Sequence, residues 1–126
     1  TDATLTTLTF DSEEYDVGGL HSTSVNTSRL TVPKAGRYLI FGNVQWVSNA
    51  TGRRQVRIRL NGTTDLVHIT ENAVSGDTHE QFVMTMANLA ANDYVELLAL
   101  QTSGGALSIN SVRNTSLEFL MGKYAG

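Results

Sequence analysis

Apolar side chains recur at every second position in short runs along this chain, and no window carries a 3.6-residue apolar period, so the pattern predicts strands and no helices. The predicted strands are Ala3–Phe10, a short piece near Tyr15, Ser28–Val32, Arg37–Val47, Arg54–Leu60, Asp65–Thr70, Glu80–Leu89, Asp93–Thr102 and Ser116–Met121, with an extra piece at Leu107–Ile109. Glycine and asparagine separate them, as the residues that accept turn conformations at least cost.

The strands fall into two kinds. "RQVRIRL" alternates cleanly, with Val56, Ile58 and Leu60 on one face and Arg57 and Arg59 on the other, which is the pattern of a sheet with one wet face. "YLIFGNVQW" and "QFVMTMANL" do not. Tyr38, Ile40, Val44 and Trp46 make a core face, yet the opposite parity carries Leu39, Phe41 and Val47 around Asn43 and Gln45. A sheet built from these strands is expected to be covered on both sides. The connections "PKAG", "NGTT" and "AAND" are tight, whereas "SNATGR", "ENAVSGDT" and "SGGALSINSVRNT" are long and polar. Short and long alternate along the chain, so an antiparallel order gathers the long loops at one end of a sandwich, where recognition is usually placed.

Composition narrows the class. A chain of 126 residues is one domain, here taken as 1–126, able to bury about two thirds of its unfolded surface without a metal or disulfide. Its richness in Thr, Ser and Asn favours strands and turns. A net charge of −3 gives no general attraction to nucleic acid or anionic membranes. The absence of cysteine excludes disulfides, thiolate metal sites and a cysteine nucleophile. No apolar run is long enough to span a membrane, and the start "TDATLTTLTF" lacks the regions of a signal peptide and an initiator Met, so a segment cut from a longer chain is expected.

"RLTVPKAGRYLIFGNVQW" closely resembles the signature of the tumour necrosis factor and complement globular-head superfamily: a strand ending in Val-Pro, a two-residue step, then Gly-x-Tyr-x-Ile or Phe. "LAANDYVELLAL" is similar to the family's Leu-x-x-Gly-Asp strand entry, with Asn92 where the family has glycine; asparagine tolerates the left-handed conformation such a position asks for. "TSLEFLMG" is partly similar to the closing Ser-Phe-x-Gly strand, with Glu118 and Phe119 departing from it. The resemblance runs from about Thr9 to Met121. It implies an all-β, ten-stranded jelly-roll sandwich that assembles as a homotrimer. It also implies that Leu39 and Phe41 face neighbouring subunits and that Phe82 takes the place of an axial aromatic; Met84 is grouped with them as interface.

Catalytic chemistry is sparse. His21, His68 and His79 lie apart, with no spacing that pairs them as metal ligands, and no nucleophile-elbow pattern occurs, so no enzyme activity and no cofactor are expected. "DSEEYD", Asp11–Asp16, gathers four carboxylates without the layout of a calcium loop and reads as a solvated acidic turn. Arg53, Arg54, Arg57 and Arg59 run from the long-loop end down a strand and read first as a solubilising face; no aromatic interleaves them as a nucleic-acid surface would require. At the loops, Arg53, Arg54 and Arg113 are the candidate anchors for an anionic group, and Asn49, Asp77 and Asn110 the candidates for a hydroxyl-rich sugar. Asn-x-Ser/Thr sequons stand at Asn26, Asn49, Asn61 and Asn114, not far above what this composition produces by chance.

The expected function is a trimeric head on a virion or other extracellular surface, such as a phage tail fibre, spike or bacterial surface protein, that binds a cell-surface receptor or glycan without entering a membrane. A secreted cytokine-like or complement-like ligand is the alternative.

Overall fold

The structure, a computed structural model, describes residues 3–8, 28–107, 109–110 and 117–125; for 110, 117–120 and 122–125 it gives the backbone path alone. The described residues contain no helix. They form nine strands: β1 (Thr6–Thr7), β2 (Arg29–Thr31), β3 (Gly36–Trp46), β4 (Arg53–Leu60), β5 (Thr64–Asn72), β6 (His79–Leu89), β7 (Tyr94–Gln101), β8 (Ile109–Asn110) and β9 (Leu117–Ala125). Every predicted strand has a counterpart except the piece near Tyr15, which lies outside the described residues. The eight-residue run expected at the start pairs at Thr6–Thr7 only, within the part described.

All pairings are antiparallel and fall into two sheets. The first runs β1–β7–β4–β5, with β2 continuing the β1 edge of β7. The second has β3 at its centre: β6 pairs along its whole length, from Gly36↔Leu89 to Trp46↔His79, and β9 and β8 lie end to end on its other edge. The inward face of β3, Tyr38, Ile40, Val44 and Trp46, packs against Val56 and Ile58 of β4 and Val95, Leu97 and Ala99 of β7, with Leu30, Val32, Val83 and Leu89 closing the core. Truncating a side chain such as Ile40 or Ile58 to alanine in such a core costs about 2–5 kcal/mol. Gly42 interrupts the inward row because the Leu97 side chain fills the space beside it: a Cβ at Gly42 would stand 2.5 Å from Leu97 Cδ1.

The connections sort by length as the chain pattern predicts. Turns 61–63 and 90–93 meet beside Val32: Val32 N donates to Asp93 O at 2.9 Å, Asn92 N to Val32 O at 2.8 Å and Asn61 N to Tyr94 O at 2.9 Å. Asn61 and Gly62 both take positive φ (51° and 75°), as hairpin turns that follow strand twist require. Asn92 takes φ 72°, the left-handed conformation expected of it in a glycine's place. At the opposite end the loops 47–52, 73–78 and 102–107 gather: Ala73 N donates to Gly52 O at 2.9 Å and Thr102 N to Arg53 O at 3.0 Å.

Candidate functional site

Two surfaces stand out, and β3 with β6 builds the first. Because side chains alternate across a strand, a β6 whose inward positions are His79, Gln81, Val83 and Leu89 must turn Phe82, Met84 and Met86 outward. They are 60%, 54% and 62% exposed in the single chain. Register sets them beside the outward residues of β3: Met86 opposite Leu39, Met84 opposite Phe41 and Phe82 opposite Asn43. Leu39 is 40% exposed, Phe41 is half-buried, and the Phe41 and Phe82 rings lie 5.8 Å apart, tilted by 31°. The four residues singled out in the sequence, Leu39, Phe41, Phe82 and Met84, thus form one continuous apolar face. Met86 belongs to it as well, and its place at the parity of Phe82 and Met84 was the signal for it. At the loop end the face gives way to polar groups, where Gln45 Nε2 donates to Glu80 Oε1 at 3.0 Å.

The second surface is the loop end, and buried polar side chains hold it from beneath. Arg54, His79, Gln81 and Gln101 are the buried polar residues among those described, and each sits at or near the loop end of its strand. Arg54 is 1% exposed. Its Nη1 donates to the carbonyls of Thr51 (2.8 Å) and Arg53 (3.0 Å), its Nη2 to that of Asn49 (2.9 Å), and its guanidinium lies 5.9 Å from the Trp46 ring. Burial lowers its pKa, though an arginine stays charged at any pH at which the protein is folded. Gln81 links both sheets: its Oε1 accepts from Trp46 Nε1 at 2.9 Å, and its Nε2 donates to Arg54 O at 3.0 Å and to Glu71 Oε1 at 3.3 Å. His79 Nε2 lies 3.1 Å from the same Glu71 oxygen. Gln101 orders the third loop, donating to Gly105 O at 2.6 Å and accepting from Ser103 N at 2.8 Å.

This geometry corrects the reading of Arg54. Its guanidinium is committed to three carbonyls of the 49–53 segment and is no free anchor for an anionic ligand. The other candidates fall out as follows. Arg53 is exposed, and its backbone N donates to Thr102 Oγ1 at 2.8 Å. Asn49 is half-buried, with Oδ1 accepting from Thr51 N at 2.9 Å, and Asp77 is exposed, with Oδ1 accepting from Thr78 N at 2.7 Å. Asn110 pairs with Gln45 in the β8–β3 ladder. Arg113, His21, the Asp11–Asp16 segment and the sequons at Asn26 and Asn114 lie outside the described residues. The sequon side chain of Asn61 is engaged within the turns: Nδ2 donates to Asp93 Oδ1 and Oδ1 accepts from Tyr94 N, both at 3.0 Å. The bond from Asn61 Nδ2, with one from Ala90 N, holds the Asp93 carboxyl below its usual range.

The outer face of the first sheet is charged and internally paired. Asp65 accepts from Arg59 Nε at 2.8 Å and Arg57 Nη1 at 2.6 Å, and the Arg59 hydrogen bond, aided by Arg57, lowers its pKa. Arg29 stacks 3.9 Å above the Tyr94 ring, and His68 is exposed on β5 opposite Arg57. Among the described residues no three of His, Asp and Glu gather to hold a metal ion, and no helix is long and apolar enough to cross a membrane. The chain matches no family model, and no curated protein shows significant similarity to it.

Proposed function

We propose that the chain is a jelly-roll head domain that assembles as a homotrimer through the Leu39, Phe41, Phe82, Met84 and Met86 face and offers its loop end to a cell-surface receptor or glycan, on a phage tail fibre, spike or bacterial surface protein. The apolar face carries this reading. Scattered apolar residues on a surface need no explanation, but five large ones in two adjoining rows on one sheet do. Burying the exposed part of Phe82, Met84 or Met86 contributes about 2–3 kcal/mol each before the costs of association. Three copies around one axis give each face a partner of its own kind, and "QFVMTMANL" then has the double covering its two apolar parities call for.

The chain path supports the jelly roll: from β2 to β8 it crosses between the sheets at every connection except the β4–β5 hairpin. The loop end supports recognition, because loops fixed from below by Arg54, Gln81 and Gln101 lose little freedom on binding. Three copies side by side would add avidity to a weak contact. Within this platform Arg53, Asn49 and Asp77 are the contacts for ligand.

Binding to an array of sialylated, uronate-bearing and neutral glycans tests the polarity. Arg53→Glu with Asp77→Lys should abolish whatever binding the native protein shows while leaving its melting temperature nearly unchanged. Lys34→Glu with Asn92→Gly, in the short turns, should leave binding intact. Binding lost from the turn pair and kept in the loop pair would place the recognition surface at the wrong end.

A further inference from the structure

We infer that Met84 and Met86 form a peroxide-sensitive lock on assembly: oxidation of their thioethers keeps a free protomer out of the trimer, and assembly shields the same sulfurs from oxidation. The inference rests on the trimer reading above. With no cysteine in the chain, the three methionine sulfurs are the only thiol or thioether groups an oxidant can meet. They are not equivalent. Met121 lies opposite Ile40 and is partly buried against the core. Met84 and Met86 stand two residues apart on one strand face, more than half exposed, Met84 in the middle of the apolar surface and Met86 at its margin beside Arg37 and Asn88.

In the reaction the thioether lone pair attacks one peroxide oxygen and the O–O bond breaks. The sulfur gains that oxygen and loses two electrons, and the other oxygen leaves as water after proton transfer. The product carries a strong acceptor and no donor. Met84 has Phe41 across the strand and Phe82 beside it, and neither side chain has a donor; Met86 lies opposite Leu39 but lines one pocket with Arg37 and Asn88, which do have donors, so the Met84 sulfoxide is the decisive one. A sulfoxide on Met84 is hydrated in the free protomer and unpaired in the interface, so it should weaken association on the order of ten-fold or more. The protomer keeps its fold, because neither side chain is part of the core. Reduction by methionine sulfoxide reductases, one for each epimer, restores the thioether and with it the ability to assemble.

The test uses Met121→Leu, a volume-conserving change that leaves Met84 and Met86 as the sole methionines. One sample is treated with hydrogen peroxide as the assembled protein and another while dissociated in denaturant. Peroxide is then removed and the chains are refolded. Peptide mass spectrometry counts the added oxygens, light scattering gives the mass and circular dichroism the fold. The expected result is slow oxidation of the assembled sample and fast oxidation of the dissociated one. The latter should refold to a monomer with the native β signal that returns to trimer after enzymatic reduction. The same chain with Met84→Leu and Met86→Leu should stay trimeric through the treatment. A doubly oxidised chain that assembles like the untreated one, or equal oxidation rates in the two samples, would overturn the lock alone. An untreated protein that is already monomeric would overturn the trimer reading and the lock with it.

Discussion

Replacing Phe82 by aspartate should separate assembly from folding, because the ring is 60% exposed in the single chain and meets the Phe41 ring at a centroid distance of 5.8 Å. Within the protomer the loss is that ring contact, about 0.5–1.5 kcal/mol, and a strand-propensity term of up to about 1 kcal/mol. Against a domain stability of about 5–15 kcal/mol the fold survives. In the proposed trimer the terms are larger. The exposed part of a phenylalanine at this level is about 120 Å2, and burying it contributes about 3 kcal/mol per protomer at about 25 cal/mol/Å2. Three copies lose this together, and each also places a carboxylate in an apolar interface at a cost of several kcal/mol. Sedimentation velocity at micromolar concentration should show a monomer, while thermal unfolding followed by circular dichroism shows a cooperative transition shifted down by a few degrees. Phe82→Ser, which brings no charge, should weaken the trimer to an intermediate degree. Assembly of Phe82→Asp like that of the native chain would rule out Phe82 as an interface residue, and failure to fold would place Phe82 in the protomer's own core.

Arg54→Ala should cost about 2–4 kcal/mol in a urea titration, because three carbonyls lose a charged donor inside a buried site, whereas Arg53→Ala should change stability by less than about 0.5 kcal/mol; equal stability of the two variants would contradict the role given to Arg54. Asp65 has a folded pKa below its unfolded value, so its ion pairs with Arg59 and Arg57 contribute fully above the ordinary aspartate pKa of about 3.9, and that contribution is lost as pH falls through the depressed folded value. Asp65→Asn should therefore lose less stability than the native chain between neutral and strongly acidic pH, and parallel pH profiles would contradict this. Gly52→Ala should be severe, at about 2 kcal/mol or more, because its Cβ would stand 1.8 Å from Thr102 O at φ 79°. Gly76→Ala, at φ 80° with open space around it, should cost only the backbone term of about 1 kcal/mol, and similar unfolding midpoints for the two would count against the packing described at the loop end.

The period-two pattern carried most of what is local. Tyr38, Ile40, Val44 and Trp46 are buried as their parity predicts, Val56 and Ile58 lie in the core with Arg57 and Arg59 outside, and most strand ends fall within two residues of the expected ones. The second apolar parity of β3 and β6 was legible too, as Leu39, Phe41, Phe82 and Met84. Arg54 was misplaced although its parity matches Val56 and Ile58. Charge argued for the surface, and what accommodates it, the carbonyls of Asn49, Thr51 and Arg53 with the Trp46 ring nearby, comes from a loop closing back over the strand end. Gln81 and Gln101 escaped notice because a polar amide also argues for the surface. Each shares the parity of a core row, Val83 for one and Val95, Leu97 and Ala99 for the other; the Gln81 partners Trp46 and Arg54 are brought to it only by the packing of the two sheets, whereas Gln101 bonds Ser103 and Gly105 of the loop that follows it.

In the proposed trimer copies of the same chain cover the apolar face of β3 and β6, and the mass of the native protein in solution bears on this claim at once. Light scattering at micromolar concentration should give three times the chain mass of 13.7 kDa, falling to one chain mass for Phe82→Asp. A native protein that scatters as a single chain at that concentration would contradict the claim.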